Sequence, residues 1–191
     1  MRIALVQGHP DPRGGHFCHA LAEAYAAGAR QGGHELRAVE VAKLDFPLLQ
    51  SAADWEGGAP AESIRDAQQT IAWASHLVFV FPLWLGDVPA RLKGFLEQAL
   101  RPGFAIGEAE AERLGKRLLK GRSARLVVTM GMPAFFYRVW YRAHSMKSLK
   151  RNVLEFCGVS PVRSTLIGTV ESVTVREKAL AAAGRFGRDA R

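Results

Sequence analysis

The 191-residue sequence predicts an α/β fold, an open sheet of five parallel strands with helices on both faces. Two patterns carry that reading. Short apolar runs alternate five times with longer segments whose apolar residues recur at helical spacing. The run His76–Pro82 (HLVFVFP) is apolar on both faces, as the centre of a parallel sheet must be. Right-handed crossovers leave few topologies. Among them is the strand order 2-1-3-4-5, whose ligand sits at the carboxyl ends of strands 1 and 3.

Each element follows from its residues. Residues 2–6 (RIALV) are a buried strand that ends in the loop Gln7-Gly8-His9-Pro10. Residues 17–29 are rich in Ala and Leu, with Leu21 and Tyr25 one turn apart, and Gly32-Gly33 ends this helix. Residues 35–41 (ELRAVEV) alternate apolar and polar, as a strand with one wetter face does. Residues 47–60 carry Pro, Gly and Ser and read as a loop with some local helix. In the helix over 61–75, Ile64, Ala67, Ile71 and Ala74 share a face. The central strand follows, then its loop over 83–88. Pro89 opens the next helix where proline is tolerated, and Leu92, Phe95, Leu96 and Leu100 form its buried stripe. Residues 101–120 combine a turn at Phe104 with a charged helix or hairpin. Ser123–Thr129 (SARLVVT) is the fourth strand. Residues 135–156 read as a long helix with a break near Ser145, 161–168 as the fifth strand, and 174–183 as a closing helix. A basic, frayed tail is expected from about residue 184, and the whole of 1–191 is read as one domain.

Composition excludes several classes. Apolar residues are 48% and charged residues 23%, ordinary for a globular chain and unlike disorder, collagen or coiled coil. A chain this long buries roughly 70% of its unfolded surface and needs neither disulfides nor a structural metal. The longest apolar run, residues 77–85, is far short of the ~20 residues that span a bilayer. The first residues read as a strand and not as a signal peptide. Cys18 and Cys157 are not a CxxC pair, so a cytoplasmic location is expected. The net charge of +8 suits anionic partners in general.

Chemistry is expected in the loops after strands 1, 3 and 4. The first runs Gly8-His9-Pro10-Asp11-Pro12-Arg13-Gly14-Gly15-His16 directly into a helix. Two glycines let backbone N–H groups converge, the helix N-terminus adds partial positive charge, and His9, Arg13 and His16 add more, so a phosphate or pyrophosphate would fit. Neither GxGxxG nor GxxxxGK[ST] is present, which disfavours a dinucleotide fold of that type and a nucleotide triphosphatase. His9, His16, Cys18 and His19 raise the question of zinc, but no second ligand cluster accompanies them, and no metal is expected. The second loop, Pro82-Leu83-Trp84-Leu85-Gly86-Asp87, carries a Trp that either walls a flat ligand or caps the sheet edge. The third is Thr129-Met130-Gly131-Met132-Pro133. After it, five of the seven residues 135–141 are aromatic and circle the helix, more than one buried face absorbs.

Several segments together resemble the flavodoxin-like NAD(P)H:quinone oxidoreductases, the group of the modulator of drug activity B and the ancillary quinone reductase of potassium-efflux systems. They are GHPDP with His19-Ala20-Leu21, FPLWLGDVPARLKGFLEQALRPGFA over 81–105, TMGMP from Thr129, and Phe156-Cys157-Gly158. The resemblance covers nearly the whole chain, and 81–105 is its specific part. It implies a flavodoxin-like fold and a homodimer with the active site at the subunit interface. Two electrons would pass in ping-pong fashion from NAD(P)H through FMN or FAD to a quinone. It places His9, Phe17 and Cys18 in the flavin phosphate loop, where the loop's own residues already offer Arg13, Gly15 and His16. Pro82, Leu83, Trp84 and Leu85 would lie along the isoalloxazine. Thr129, Met130 and Gly131 would lie near its pyrimidine end, and Phe104 in the flavin or dimer contact. Tyr137 and His144 match by order the pair that stabilises reduced flavin, though not by spacing. The sequence departs from the family at Arg13 to Cys18, a longer stretch carrying Gly14-Gly15 and a Cys where Asn is usual. It departs again at Gly131-Met132, where two glycines are usual.

Two other classes have some support in the sequence. Arg113, Lys116, Arg117, Lys120, Arg122 and Arg125 form one basic run and Arg138, Arg142, Lys147, Lys150 and Arg151 another, but Glu108, Glu110 and Glu112 precede the first and no nucleic-acid motif is present. No nucleic-acid partner is expected. The other alternative is a non-enzymatic flavoprotein that regulates a transporter, with peripheral membrane or transporter contact.

Overall fold

The apolar runs become strands where predicted. A computed structural model describes residues 1–107 and 116–190. Strands β1 (Arg2–Gln7), β2 (Glu35–Glu40), β3 (His76–Pro82), β4 (Ser123–Thr129) and β5 (Val162–Ile167) pair in parallel in the order β2-β1-β3-β4-β5. This is the flavodoxin-like order. The helices are α1 (Phe17–Gln31), α2 (Ala52–Glu56), α3 (Glu62–Trp73), α4 (Ala90–Ala99), α5 (Ala134–Val139), α6 (His144–Ser148) and α7 (Val173–Arg188).

Side chains alternate across β3 and divide the interior in two. Leu77, Phe79 and Phe81 face a core built with Ile64 and Ile71 of α3, Leu92, Phe95 and Leu96 of α4, and Tyr137 and Met146. Val78 and Val80 face a second core with Leu21, Tyr25 and Ala29 of α1 and Ala183 of α7. Every residue of β3 is buried, which explains why its sequence lacks the polar alternation of the edge strand β2. The 47–60 segment is a loop with one short helix, α2, as predicted. The buried guanidinium of Arg101 fixes it by donating to the carbonyls of Asp54, Trp55 and Gly57.

The expected break in the helix over 135–156 is present. Arg142 and Ala143 are left-handed (φ 51° and 49°), separating α5 from α6, and a π-type turn over Leu149–Leu154 follows α6. The break therefore lies just before Ser145. Residues 184–188 correct the expectation of a frayed tail: they form the last turn of α7, and Ala183, Gly187 and Ala190 are buried in the core shared with α1. The turn at Phe104 is present, whereas the charged helix or hairpin beyond it lies mostly outside the described residues.

Candidate active site

The register of the sheet brings the three loops together. Gly8 N–H donates to Val80 O (2.8 Å), Leu83 N–H to Thr129 O (2.7 Å) and Met130 N–H to Ile167 O (2.8 Å). The chain thus leaves β1, β3 and β4 at one edge, at the point where the strand order reverses.

The first loop is organised by a residue the sequence reading passed over. Asp11 accepts from the Arg13 guanidinium (2.8 Å) and lies 2.9 Å from His16 Nε2. These bonds, Arg13 first and His16 second, hold its carboxyl far below the usual carboxylate range. Its place two residues before Arg13, in a Pro-Asp-Pro turn, was the available signal. Arg13 is therefore anchored to Asp11 and is not a free cation. Gly14 and Gly15 adopt φ of +78° and +77° with nothing near them, so the backbone is open to a ligand there. No side chain caps α1 and its first turn has no acidic residue, which leaves its N–H groups for an anion.

His9 is 7% exposed, and its ring stacks on His16 at 4.0 Å. Trp84 meets it edge-on at 5.8 Å. Burial, reinforced by repulsion from His16 and His19, holds the His9 imidazole down at about 4. Burial also lowers His19. Phe17 is half-buried beneath the Arg176 guanidinium. Cys18 does not face the loop: it is buried, its Sγ 3.2 Å from Thr129 Oγ1, and burial pushes its thiol up to about 11. It ties α1 to β4 and is an inert thiol at neutral pH.

In the second loop Pro82 is the buried end of β3 and Leu83 is half-buried. Trp84 and Asp87 exchange backbone hydrogen bonds of 2.9 and 3.0 Å, a tight turn that leaves Trp84 51% exposed. A sheet-capping role would have buried it. Leu85 at the tip is fully exposed and left-handed (φ 48°), a strained position of the kind found at binding sites. In the third loop Thr129 and Met130 are buried and Gly131 is exposed.

His144 is exposed and joins Leu85, Gly86 and Asp87 around an open cleft of about 610 Å³, with Lys147 and Arg151 across from the turn. Tyr137 does not reach this cleft. It is 1% exposed and its hydroxyl lies 2.6 Å from Ser145 Oγ, so it positions the residue next to His144. Phe104 is also not brought to the loops. It follows the far end of α4, half-buried against the core on that side. Among the described residues, no group of three or more His, Cys, Asp or Glu is arranged to hold a metal ion.

The uncapped helix N-terminus and the exposed aromatic thus lie at the switch point of an open parallel sheet, the position where such sheets take their ligands. The chain belongs to the flavodoxin-like fold family, whose sequence profile matches residues 1–186. An uncharacterized NAD(P)H oxidoreductase from Haemophilus influenzae is 25% identical over 177 residues, 91% of this chain and 86% of that one. The FMN-dependent NADH:quinone oxidoreductase of Ruegeria pomeroyi is 28% identical over 148 residues, 67% of this chain and 70% of that one. An NAD(P)H:quinone oxidoreductase from Methanothermobacter marburgensis superimposes with a TM-score of 0.82 at 24% identity, over 98% of this chain and 96% of that one. The chain spans about half the length of several other curated relatives. Among the described residues no helix is long and apolar enough to cross a membrane.

Proposed function

We propose that this chain is an FMN-dependent oxidoreductase that passes two electrons from NAD(P)H to a quinone or similar acceptor in ping-pong fashion, acting as a cytoplasmic homodimer. The observation that carries the reading is the joining of an uncapped α1 N-terminus to an exposed Trp84 through the buried His9, at one sheet edge. An anion and a flat ring held at that separation of chemistries describe FMN better than FAD, whose second nucleotide needs further surface. The FMN-dependent relative supports the same choice.

The residues present fit that cofactor. Gly14, Gly15 and the first N–H groups of α1 would receive the phosphate, with His9 and His16 beside it. Trp84 and Leu83 would flank the ring, and the backbone from Thr129 to Gly131 would meet its polar edge. Bound flavin supplies the hydride-accepting chemistry. The protein's part is to admit donor and acceptor in turn to one face and to stabilise developing negative charge with fixed donors. His144 stands at the cleft for that second task, with Tyr137 positioning it through Ser145.

Trp84→Ala tests the site. Loss of the aromatic contact costs about 0.5–1.5 kcal/mol beyond area burial, so FMN affinity should fall roughly tenfold. Melting of the apoprotein should barely move, because an exposed loop residue contributes little to the core. A core Trp would instead cost about 3–5 kcal/mol of stability. A large loss of stability with unchanged FMN titration would contradict the placement.

The homodimer rests on the aromatic segment. Phe135, Phe136, Val139, Trp140 and Tyr141 are all exposed, and of α5 only Tyr137 turns inward. A contiguous patch of this kind marks an interface. Sedimentation equilibrium is expected to give a dimer at micromolar concentration; monomer alone would contradict it.

A further inference from the structure

The phosphate loop holds more imidazole than anion binding alone requires. His9, His16 and His19 have ring centroids 4.0, 5.3 and 5.7 Å apart. The Nδ1 of His9 accepts from Asp11 N–H (3.1 Å), so the neutral ring carries its proton on Nε2. That nitrogen has no hydrogen-bond partner among the described residues. His19 Nδ1 is buried and also unpartnered. His16 spends its Nε2 on Asp11. Three rings in contact therefore keep ring nitrogens available beside the uncapped start of α1.

We propose that these three histidines form a proton-loading phosphate clamp, in which the loop binds the phosphate monoester of the flavin together with uptake of a proton by the imidazole cluster. The proposal rests on the flavin reading above and deepens it.

The charges around the cluster support this. In the empty loop, protonating one ring places a cation against two neighbours, and burial adds to the cost, which is why His9 is held down at about 4 and His19 is lowered. Asp11 faces the cluster from the loop, but Arg13 already neutralises it. Glu23 of α1 and Glu40 of β2 face His19. Arg176 of α7 covers Phe17 next to His16. Cys18 and Thr129 behind the loop are neutral. The carboxylate that acts on His9 is thus already engaged by Arg13 and His16, and an incoming phosphate dianion adds a second negative charge beside the cluster. The dianion raises the imidazole pKa of the cluster, and a proton gained at an unpartnered ring nitrogen turns an acceptor into a charged donor, while His9 already offers its Nε2–H because its Nδ1 accepts from Asp11.

The direction of the pH effect follows. Between the pKa of the empty cluster and that of the occupied one, binding takes up a proton, so affinity rises as pH falls. One proton per phosphate changes the dissociation constant about tenfold per pH unit. The gain ends near about pH 6, where the phosphate monoester takes its own second proton. Riboflavin has the same ring system and no phosphate, and should bind with almost no pH dependence.

FMN and riboflavin would be titrated by calorimetry into the flavin-free protein at constant ionic strength, from about pH 6.5 to about pH 8. Each pH would use two buffers of different ionisation enthalpy. Uptake of about one proton per FMN is expected, with affinity weakening about tenfold per unit as pH rises, and a flat riboflavin profile. His16→Gln, an exposed position that does not threaten the fold, should lose much of the slope. FMN binding without proton uptake, or with the slope shown by riboflavin, would overturn the clamp and leave the flavin reading standing. Binding of neither flavin would overturn both.

Discussion

Gly187→Ala is expected to destabilise the protein by about 3 kcal/mol, because an added methyl has nowhere to go. A Cβ on Gly187 would lie 2.0 Å from Tyr25 O and 2.8 Å from Ala29 N, backbone atoms of α1 that cannot rotate aside. Gly28 meets the same limit from the other side, 1.9 Å from Gly184 O. The two helices are locked by absent side chains, so a methyl at either point must push α7 off the sheet and open the second core. Gly184→Ala is the control, since its nearest neighbour would be Ala24 O at an ordinary 3.7 Å. Replacing a helical glycine there should be neutral or stabilising by up to about 1 kcal/mol. Thermal melting of the three proteins checks the contrast. Gly187→Ala should fall by roughly 10 °C, and equal melting points would mean that α7 does not pack as described.

Acid is expected to remove about 3 kcal/mol of stability through His76 alone. The residue is 2% exposed in β3, with Nδ1 2.7 Å from Ser123 Oγ and Nε2 unpartnered. Burial first, then Arg125 and Arg163, hold its imidazole down at about 4, against 6.5 for the free side chain. Below that ordinary value the unfolded chain binds a proton that the folded chain refuses. Stability is therefore complete above it, falls progressively as pH drops to about 4, and levels off there as far as this group is concerned. His76→Phe should flatten the urea-denaturation profile across that window relative to the natural protein. His9 acts in the same direction and remains in the variant, so the difference between the two profiles isolates His76. Parallel profiles would contradict the burial of a neutral imidazole.

What the sequence could tell follows from how local each signal is. The bounds of His76–Pro82 and Ser123–Thr129 were legible because strands buried on both faces are continuous apolar runs. Gly14, Gly15 and Trp84 were legible as well, since they stand in loops at strand ends where such residues have no packing role. Other features depend on contacts distant in the chain. Gly184 and Gly187 near a basic terminus read as fraying, and only α1 reveals them as a packing seam. Arg142 and Ala143 have no left-handed preference, and the break they make is stabilised by tertiary packing and the Tyr137–Ser145 contact. Cys18 and Thr129 are 111 residues apart, so nothing near Cys18 announces that it turns inward. Phe104 was drawn to the flavin or dimer contact by resemblance alone, and the course of α4 carries it away from the three loops of its own chain.

The central claim is that the three loops at the carboxyl edge of β1, β3 and β4 form a flavin site that NAD(P)H can reduce. The direct measurement is the visible spectrum of the purified protein after reconstitution with FMN and desalting, followed by anaerobic addition of NADH or NADPH. Flavin absorbance that survives desalting and bleaches on addition of the nicotinamide is the expected result. Protein that stays colourless after exposure to both FMN and FAD would contradict the account.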